Sequence, residues 1–234
     1  MRRVRLLPGL FALAPVLALL AAPAASFAQA LVAGPYLQQA TPTGIWIVWE
    51  TTSGEESRVD WGTTPALGQT AYGETLVSEG TARIHQTELA GLTPDTRYYY
   101  QVTTGAAGSA VRHFRSPAAP SADKPLRIVA FSDTQLDFLN LSQFGKTVND
   151  GVIDFMQDNY GPDVDDALSF VLIPGDLVDN GSVHADWQEQ FFGEGRNLFQ
   201  TVPLYPVLGN HERDDPLYFK YFRLPTNGTP GFEE

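Results

Sequence analysis

Val202-Pro203-Leu204-Tyr205-Pro206-Val207-Leu208-Gly209-Asn210-His211-Glu212 decides how the second half of this chain is read. A short uncharged apolar run bounded by turn residues is the pattern of a buried strand. Its carboxyl end delivers an amide oxygen beside an imidazole. The same design occurs twice upstream: Arg127-Ile128-Val129-Ala130-Phe131 leads into Ser132-Asp133-Thr134-Gln135, and Phe170-Val171-Leu172-Ile173-Pro174 leads into Gly175-Asp176-Leu177-Val178-Asp179. Helical stretches fall between the runs. Ser142 is placed to cap a helix carrying Phe144, Val148, Val152, Phe155 and Met156 near one face, with Gly161-Pro162 as its stop. A second helix is predicted from about His184 to Phe199, with Trp187, Phe191, Leu198 and Phe199 as a rough apolar stripe that Gly193 and Gly195 interrupt. Strands alternating with helices indicate an α/β domain with parallel neighbours. In such sheets ligands gather at the carboxyl ends of strands, where all three polar motifs lie.

The preceding residues have a different character. From Leu31 to Ser116 short strands alternate with turn clusters, most clearly at 45–49, 58–61, 97–102 and 111–115, and Gly and Thr-Pro punctuation recurs at the spacing of an all-β sandwich. Leu92-Thr93-Pro94-Asp95-Thr96-Arg97-Tyr98 has the form of a tyrosine corner, a device of immunoglobulin-like sandwiches. Trp46, Trp49, Trp61 and Tyr98 to Tyr100 sit at alternating strand positions, which assigns them to a core rather than to a carbohydrate platform. A Pro/Ala-rich linker, 117–125, follows the sandwich.

Residues 1–30 carry Arg2, Arg3 and Arg5, then an apolar stretch from Leu6 to Ala25, then Ala28-Gln29-Ala30. This is the tripartite form of a secretory signal peptide, with cleavage expected after Ala28 or Ala30. The stretch approaches the roughly 20 apolar residues of a membrane span, but Pro8, Pro15, Pro23 and the small-residue end favour cleavage, leaving no stable membrane span and a secreted or periplasmic product. There is no cysteine, so disulfides and a cysteine-linked lipid anchor are excluded. The formal charge of −12 disfavours nucleic acid as a partner, because neutralising its backbone requires basic residues. Asp163, Asp165 and Asp166 lack the glycine and distal glutamate of a calcium loop and read as a solvated acidic turn. His85 and His113 read as ordinary strand or surface residues, and His184 as the first turn of its helix.

The three polar motifs resemble, in order, the first three signature motifs of calcineurin-like metallophosphoesterases, over residues 126 to about 215. The sandwich, through its Trp-Ile-Val-Trp strand, Val59-Asp60-Trp61-Gly62 and its tyrosine corner, resembles the fibronectin type III-like amino-terminal domain of purple acid phosphatases. The resemblance implies a fibronectin-like sandwich (31–116) followed by an α/β phosphoesterase domain (126–234) that has the first part of a four-layer α/β/β/α fold. It implies hydrolysis of small-molecule phosphate esters at a pair of metal ions, with Fe, Mn or Zn the expected elements. By the same resemblance Asp133 is a ligand of the first metal, Gln135 stands at a further ligand position, Asp176 bridges both ions and Asn210 binds the second. His211 contacts the phosphate and assists the leaving group, and Asp179 orients its ring.

Three departures accompany the match. Gln135 stands where most of the family has histidine, and a neutral amide oxygen is the weaker donor. Asp179 stands where purple acid phosphatases place a tyrosinate, so iron–tyrosinate chemistry is not expected. The family continues to a lone histidine and a His-x-His pair, whereas this chain has only His85, His113, His184 and His211, so an incomplete catalytic domain is expected. A non-catalytic exported protein, with the sandwich as an interaction module beside a relic phosphoesterase domain, is the alternative reading.

Overall fold

The computed structural model describes residues 28–136 and 143–224. The predicted leader, apart from its last three residues, and the predicted cap Ser142 lie outside them. Among the described residues no helix is long and apolar enough to cross a membrane.

Nine strands make the sandwich: β1 (Leu31–Thr41), β2 (Gly44–Thr51), β3 (Arg58–Gly62), β4 (Gln69–Tyr72), β5 (Glu74–Val77), β6 (Arg83–Ala90), β7 (Arg97–Thr104), β8 (Ala107–Gly108) and β9 (Arg112–Arg115). One sheet runs β1-β2-β6-β5; the other runs β4-β3-β7, with β8 and β9 both paired to β7. All of these pairings are antiparallel. Tyr98, Tyr100 and Val102 of β7 alternate inward and meet Ile45, Ile47, Trp49, Val59 and Phe114 in the core between the sheets. The tyrosine corner is present: the Tyr98 hydroxyl accepts the main-chain N–H of Thr93 at 2.8 Å.

The second domain has three parallel strands in the order β10 (Ile128–Ala130), β11 (Phe170–Pro174), β12 (Leu204–Val207). Helix α1 spans 143–160 and α2 spans 184–199, each with a central π-type stretch, Thr147–Ile153 and Trp187–Phe192. Both helices cover the face of the sheet that carries Val171, Ile173 and Leu204, through Phe144, Val148, Met156, Trp187, Phe191, Leu198 and Phe199. Phe155 departs from its predicted place on the apolar face and is exposed, because the π-type stretch ahead of it turns the following residues round the axis. Gly193 and Gly195 do not break α2; a Cβ on Gly195 would lie 2.1 Å from the Phe199 ring, so close packing accounts for that glycine. On the opposite sheet face Ile128 and Val207 remain 47% and 54% exposed. A short helix, α3 (Pro216–Tyr221), starts at Asp215, whose carboxylate accepts the N–H of Leu217.

The two domains share one core. Ala33, Tyr36, Val48 and Ile84 of the sandwich pack with the helices of the second domain. This explains the uninterrupted apolar run in β2: Ile45, Ile47 and Trp49 face the sandwich core, while Val48 and Glu50 on the other face are buried against the α/β domain. Glu50 is 0% exposed and satisfied from several sides. Its carboxylate meets His184 Nε2 at 2.7 Å, accepts Gln188 Nε2 at 2.6 Å and the Tyr221 hydroxyl at 3.0 Å, and also accepts the Ser78 hydroxyl. The acidic turn is not a free solvated loop. Arg97 pairs with Asp163 and Asp166, Arg115 pairs with Asp166, and His113 pairs with Asp165, all across the boundary. His85 is fully buried, stacked on Trp49 and held between Thr51 and Ser57; burial lowers its pKa to about 4.

Candidate functional site

Three loops leave the carboxyl ends of β10, β11 and β12 and carry the residues singled out in the sequence. Asp133 and Asp176 each adopt a left-handed backbone, with φ of 55° and 54°. Aspartate is among the few side chains that tolerate this region. The turns bring the first two loops edge to edge: Thr134 N–H donates to the Asp176 carbonyl at 2.9 Å, and the Thr134 hydroxyl donates to the Leu177 carbonyl at 2.9 Å.

The second and third loops are held more tightly still. The His211 N–H donates to Asp176 Oδ1 at 3.1 Å, and Gly181 N–H donates to the His211 carbonyl at 3.0 Å. Gly209 is required here, since a Cβ on it would stand 2.3 Å from both the nitrogen and Oδ1 of Asp176. Beneath them lies Glu212, 0% exposed. One of its oxygens accepts Leu177 N–H at 2.7 Å and Val178 N–H at 3.3 Å; the other accepts Gly209 N–H at 2.7 Å and Asp176 N–H at 3.1 Å. Four amide dipoles therefore surround a buried carboxylate that also joins two strand ends.

Asp133, Asp176, Asn210 and His211 thus lie on mutually bonded loops, with Gln135 two residues beyond Asp133. Asp179 meets the His211 ring through its main chain. The ring Nδ1 lies 2.8 Å from the main-chain carbonyl of Asp179 and 3.7 Å from the Asp179 carboxylate, so the peptide oxygen, not the side chain, makes the short bond. An Nδ1–H donated to that carbonyl leaves Nε2 free for a substrate. The exposed Asp179 carboxylate adds negative charge nearby.

Among the described residues no three His, Cys, Asp or Glu side chains form a group able to hold a metal. The oxygen donors offered are two carboxylates, Asp133 and Asp176, and two amides, Gln135 and Asn210. Gln135 Oε1 is buried without a hydrogen-bond donor. A buried acceptor left unpaired is costly, and a cation is one kind of partner that would satisfy it. Oxygen donors of this kind suit hard or borderline cations, so the chemistry of the residues present fits such an ion.

Glu212 and Gln190 have structural roles that the sequence reading did not assign. Gln190 carried a legible signal, a polar side chain three residues after Trp187 and next to Phe191 on the buried face of α2. Glu212 carried little, because an acid after a strand-end turn ordinarily faces water.

The comparisons agree with this architecture. Residues 34–116 match the family model described as purple acid phosphatase, N-terminal domain, and residues 126–232 match the one described as calcineurin-like phosphoesterase. The structure of purple acid phosphatase PPD1 from yellow lupin (Lupinus luteus) seeds superposes with a TM-score of 0.65 at 20% identity, over 83% of this chain and 41% of that one. A structure of PhoD superposes with a TM-score of 0.59 at 11% identity, over 83% of this chain and 46% of that one. The chain therefore spans less than half the length of either. No curated protein matches it. The chain thus carries, in tandem, a purple acid phosphatase-type amino-terminal domain and a calcineurin-like phosphoesterase domain.

Proposed function

We propose that the chain belongs to an exported hydrolase of small-molecule phosphate esters that works with a pair of metal ions, Fe, Mn or Zn being the best candidates. The observation that carries this reading is the bonding of Asp176 Oδ1 to the His211 N–H, which sets an acid/base imidazole beside the carboxylate expected to bridge the ions. Asp133, Gln135, Asp176 and Asn210 would hold the metal. Bound there, such ions polarise a phosphoryl oxygen and lower the pKa of a coordinated water.

The remaining work falls to the chain itself. His211, with Nδ1 directed at the Asp179 carbonyl, presents Nε2 towards the substrate side, and in its protonated form it donates there to the leaving oxygen. Gly209 and Gly175 leave room for the backbone turns that bring the second and third loops together. The apolar stretch at 6–25 is the support for export.

The test uses the full chain, stripped of metal and then dialysed against Mn2+, Zn2+ or Fe2+. Hydrolysis of p-nitrophenyl phosphate or its bis-ester should appear with metal and be lost in Asp176→Asn. Close to two ions per chain should be retained. A folded wild-type chain that takes up no metal and hydrolyses neither ester would overturn the proposal in favour of a relic domain.

A further inference from the structure

We infer that Gln190, on helix α2 behind the site, is a positioning residue that fixes the Asp133–Gln135 loop to the Asp176–Asp179 loop and so sets the spacing of ligands arriving from two different strands. The inference rests on the metallophosphoesterase reading above.

Gln190 is 9% exposed, on the helix face that also buries Trp187 and Phe191. Its Oε1 accepts two main-chain N–H groups, that of Leu136 at 3.2 Å and that of Asp179 at 2.8 Å. Leu136 directly follows Gln135, and Asp179 closes the turn that begins at Asp176. One oxygen atom therefore joins the two loops at their far ends, while Thr134 joins them at the near end. The orientation of the amide is determined by its partners. Two donors require oxygen at their focus, which turns the nitrogen towards Asp186, whose carboxylate bonds Gln190 and also accepts Asn180 N–H at 3.1 Å.

No apolar residue can replace this arrangement, since removing the amide leaves two loop N–H groups near the core without an acceptor. The helix that carries it is itself anchored on two sides. Trp187 Nε1 donates to the Gly181 carbonyl at 2.8 Å, tying α2 to the end of the second loop. Gln188 Nε2 donates to Glu50 of β2 at 2.6 Å and His184 meets the same carboxylate at 2.7 Å. The sandwich thereby holds the helix from one side, and Gln190 passes that fixed position to the loops on the other. A displacement of α2 would slide the Asp133 loop past the Asp176 loop, altering the separation of their carboxylates.

The test compares Mn2+ titrations of the full-length wild type, Gln190→Met and Gln188→Met, the last a control that disturbs the same helix on its Glu50 side. Gln190→Met should weaken Mn2+ binding about 10- to 100-fold, the usual cost of losing a group that orients metal ligands. Gln188→Met should lower the melting temperature and weaken Mn2+ binding less than Gln190→Met does, because His184 still anchors the same helix to Glu50. Gln190→Glu, which keeps an acceptor oxygen for both N–H groups, should recover affinity relative to Gln190→Met. Equal losses in the two Met variants, or a folded Gln190→Glu that binds as weakly as Gln190→Met, would overturn the inference. Hydrogen exchange at the Leu136 and Asp179 amides reads the contact without metal. Protection should fall in Gln190→Met, or in Gln190→Leu if the Met chain does not fold, and unchanged protection refutes the contact. A wild type that binds no Mn2+ sinks the functional reading, a result separate from the exchange data.

Discussion

Replacing Glu212 by glutamine changes one atom in a residue that touches no solvent, and the structure fixes what that atom must lose. Each carboxylate oxygen accepts two main-chain N–H groups, one pair from Leu177 and Val178 and the other from Asp176 and Gly209. Whichever way the amide turns, its NH2 faces a pair of donors, and two charge-assisted bonds disappear. At about 1.5–3 kcal/mol for a hydrogen bond to a charged group, Glu212→Gln should cost about 3–6 kcal/mol. Relief of burying a negative charge works in the opposite direction, but the four N–H dipoles already offset most of that burial in the wild type. For a chain of this size about 2–4 °C of melting temperature accompanies each kcal/mol, so the transition should fall by on the order of 10 °C. Thermal and denaturant unfolding of the purified variant provide the assay. The amides of Asp176, Leu177, Val178 and Gly209 should lose exchange protection with it. A loss below about 1 kcal/mol would refute the reasoning, because the carboxylate would then not be what holds the two strand ends together.

Two further predictions concern the interface and the helices. Hydrogen bonding to Glu50 raises the pKa of His184 above its ordinary 6.5, with the charges of Glu50 and Glu79 acting in the same direction and burial opposing them. A group whose folded pKa is raised contributes stability that is complete below about pH 6.5 and lost as pH climbs through the folded value. Denaturant unfolding of His184→Gln should therefore lose less stability than wild type between about pH 6 and pH 8; identical losses would show that the Glu50 contact does not depend on the imidazolium. Gly195→Ala places a methyl 2.1 Å from the buried Phe199 ring. Overpacking of that kind costs about 1–3 kcal/mol, more than the roughly 1 kcal/mol that alanine returns in helix propensity. A stabilised Gly195→Ala in thermal melts would mean that α2 moves easily against its neighbours.

Much of the architecture is local in origin and was legible for that reason. Apolar runs ending in Gly-Asp or Gly-Asn, the alternation of Tyr98, Tyr100 and Val102, and the Thr93–Tyr98 corner each depend on spacings of a few residues, and each appears where its pattern placed it. The motifs Ser132 to Gln135, Gly175 to Asp179 and Gly209 to Glu212 located the three loops by the same means. Net acidity, the absence of cysteine and the apolar stretch at 6–25 also belong to the sequence alone.

Tertiary structure decided everything that required two distant segments to meet. Val48 and Glu50 gave no sign that the outer face of β2 is buried, since a strand records its own alternation but not what lies across from it. The acidic turn at Asp163 to Asp166 looked solvated because Arg97, His113 and Arg115, which pair with it, are about fifty or more residues away in sequence. That Asp179 meets His211 with its peptide carbonyl and not its carboxylate was decided by the turn geometry, which brings the main chain closer. Glu212 and Gln190 acquire their roles only once the strand ends are side by side, since a hydrogen-bond acceptor is defined by the donors that folding aims at it.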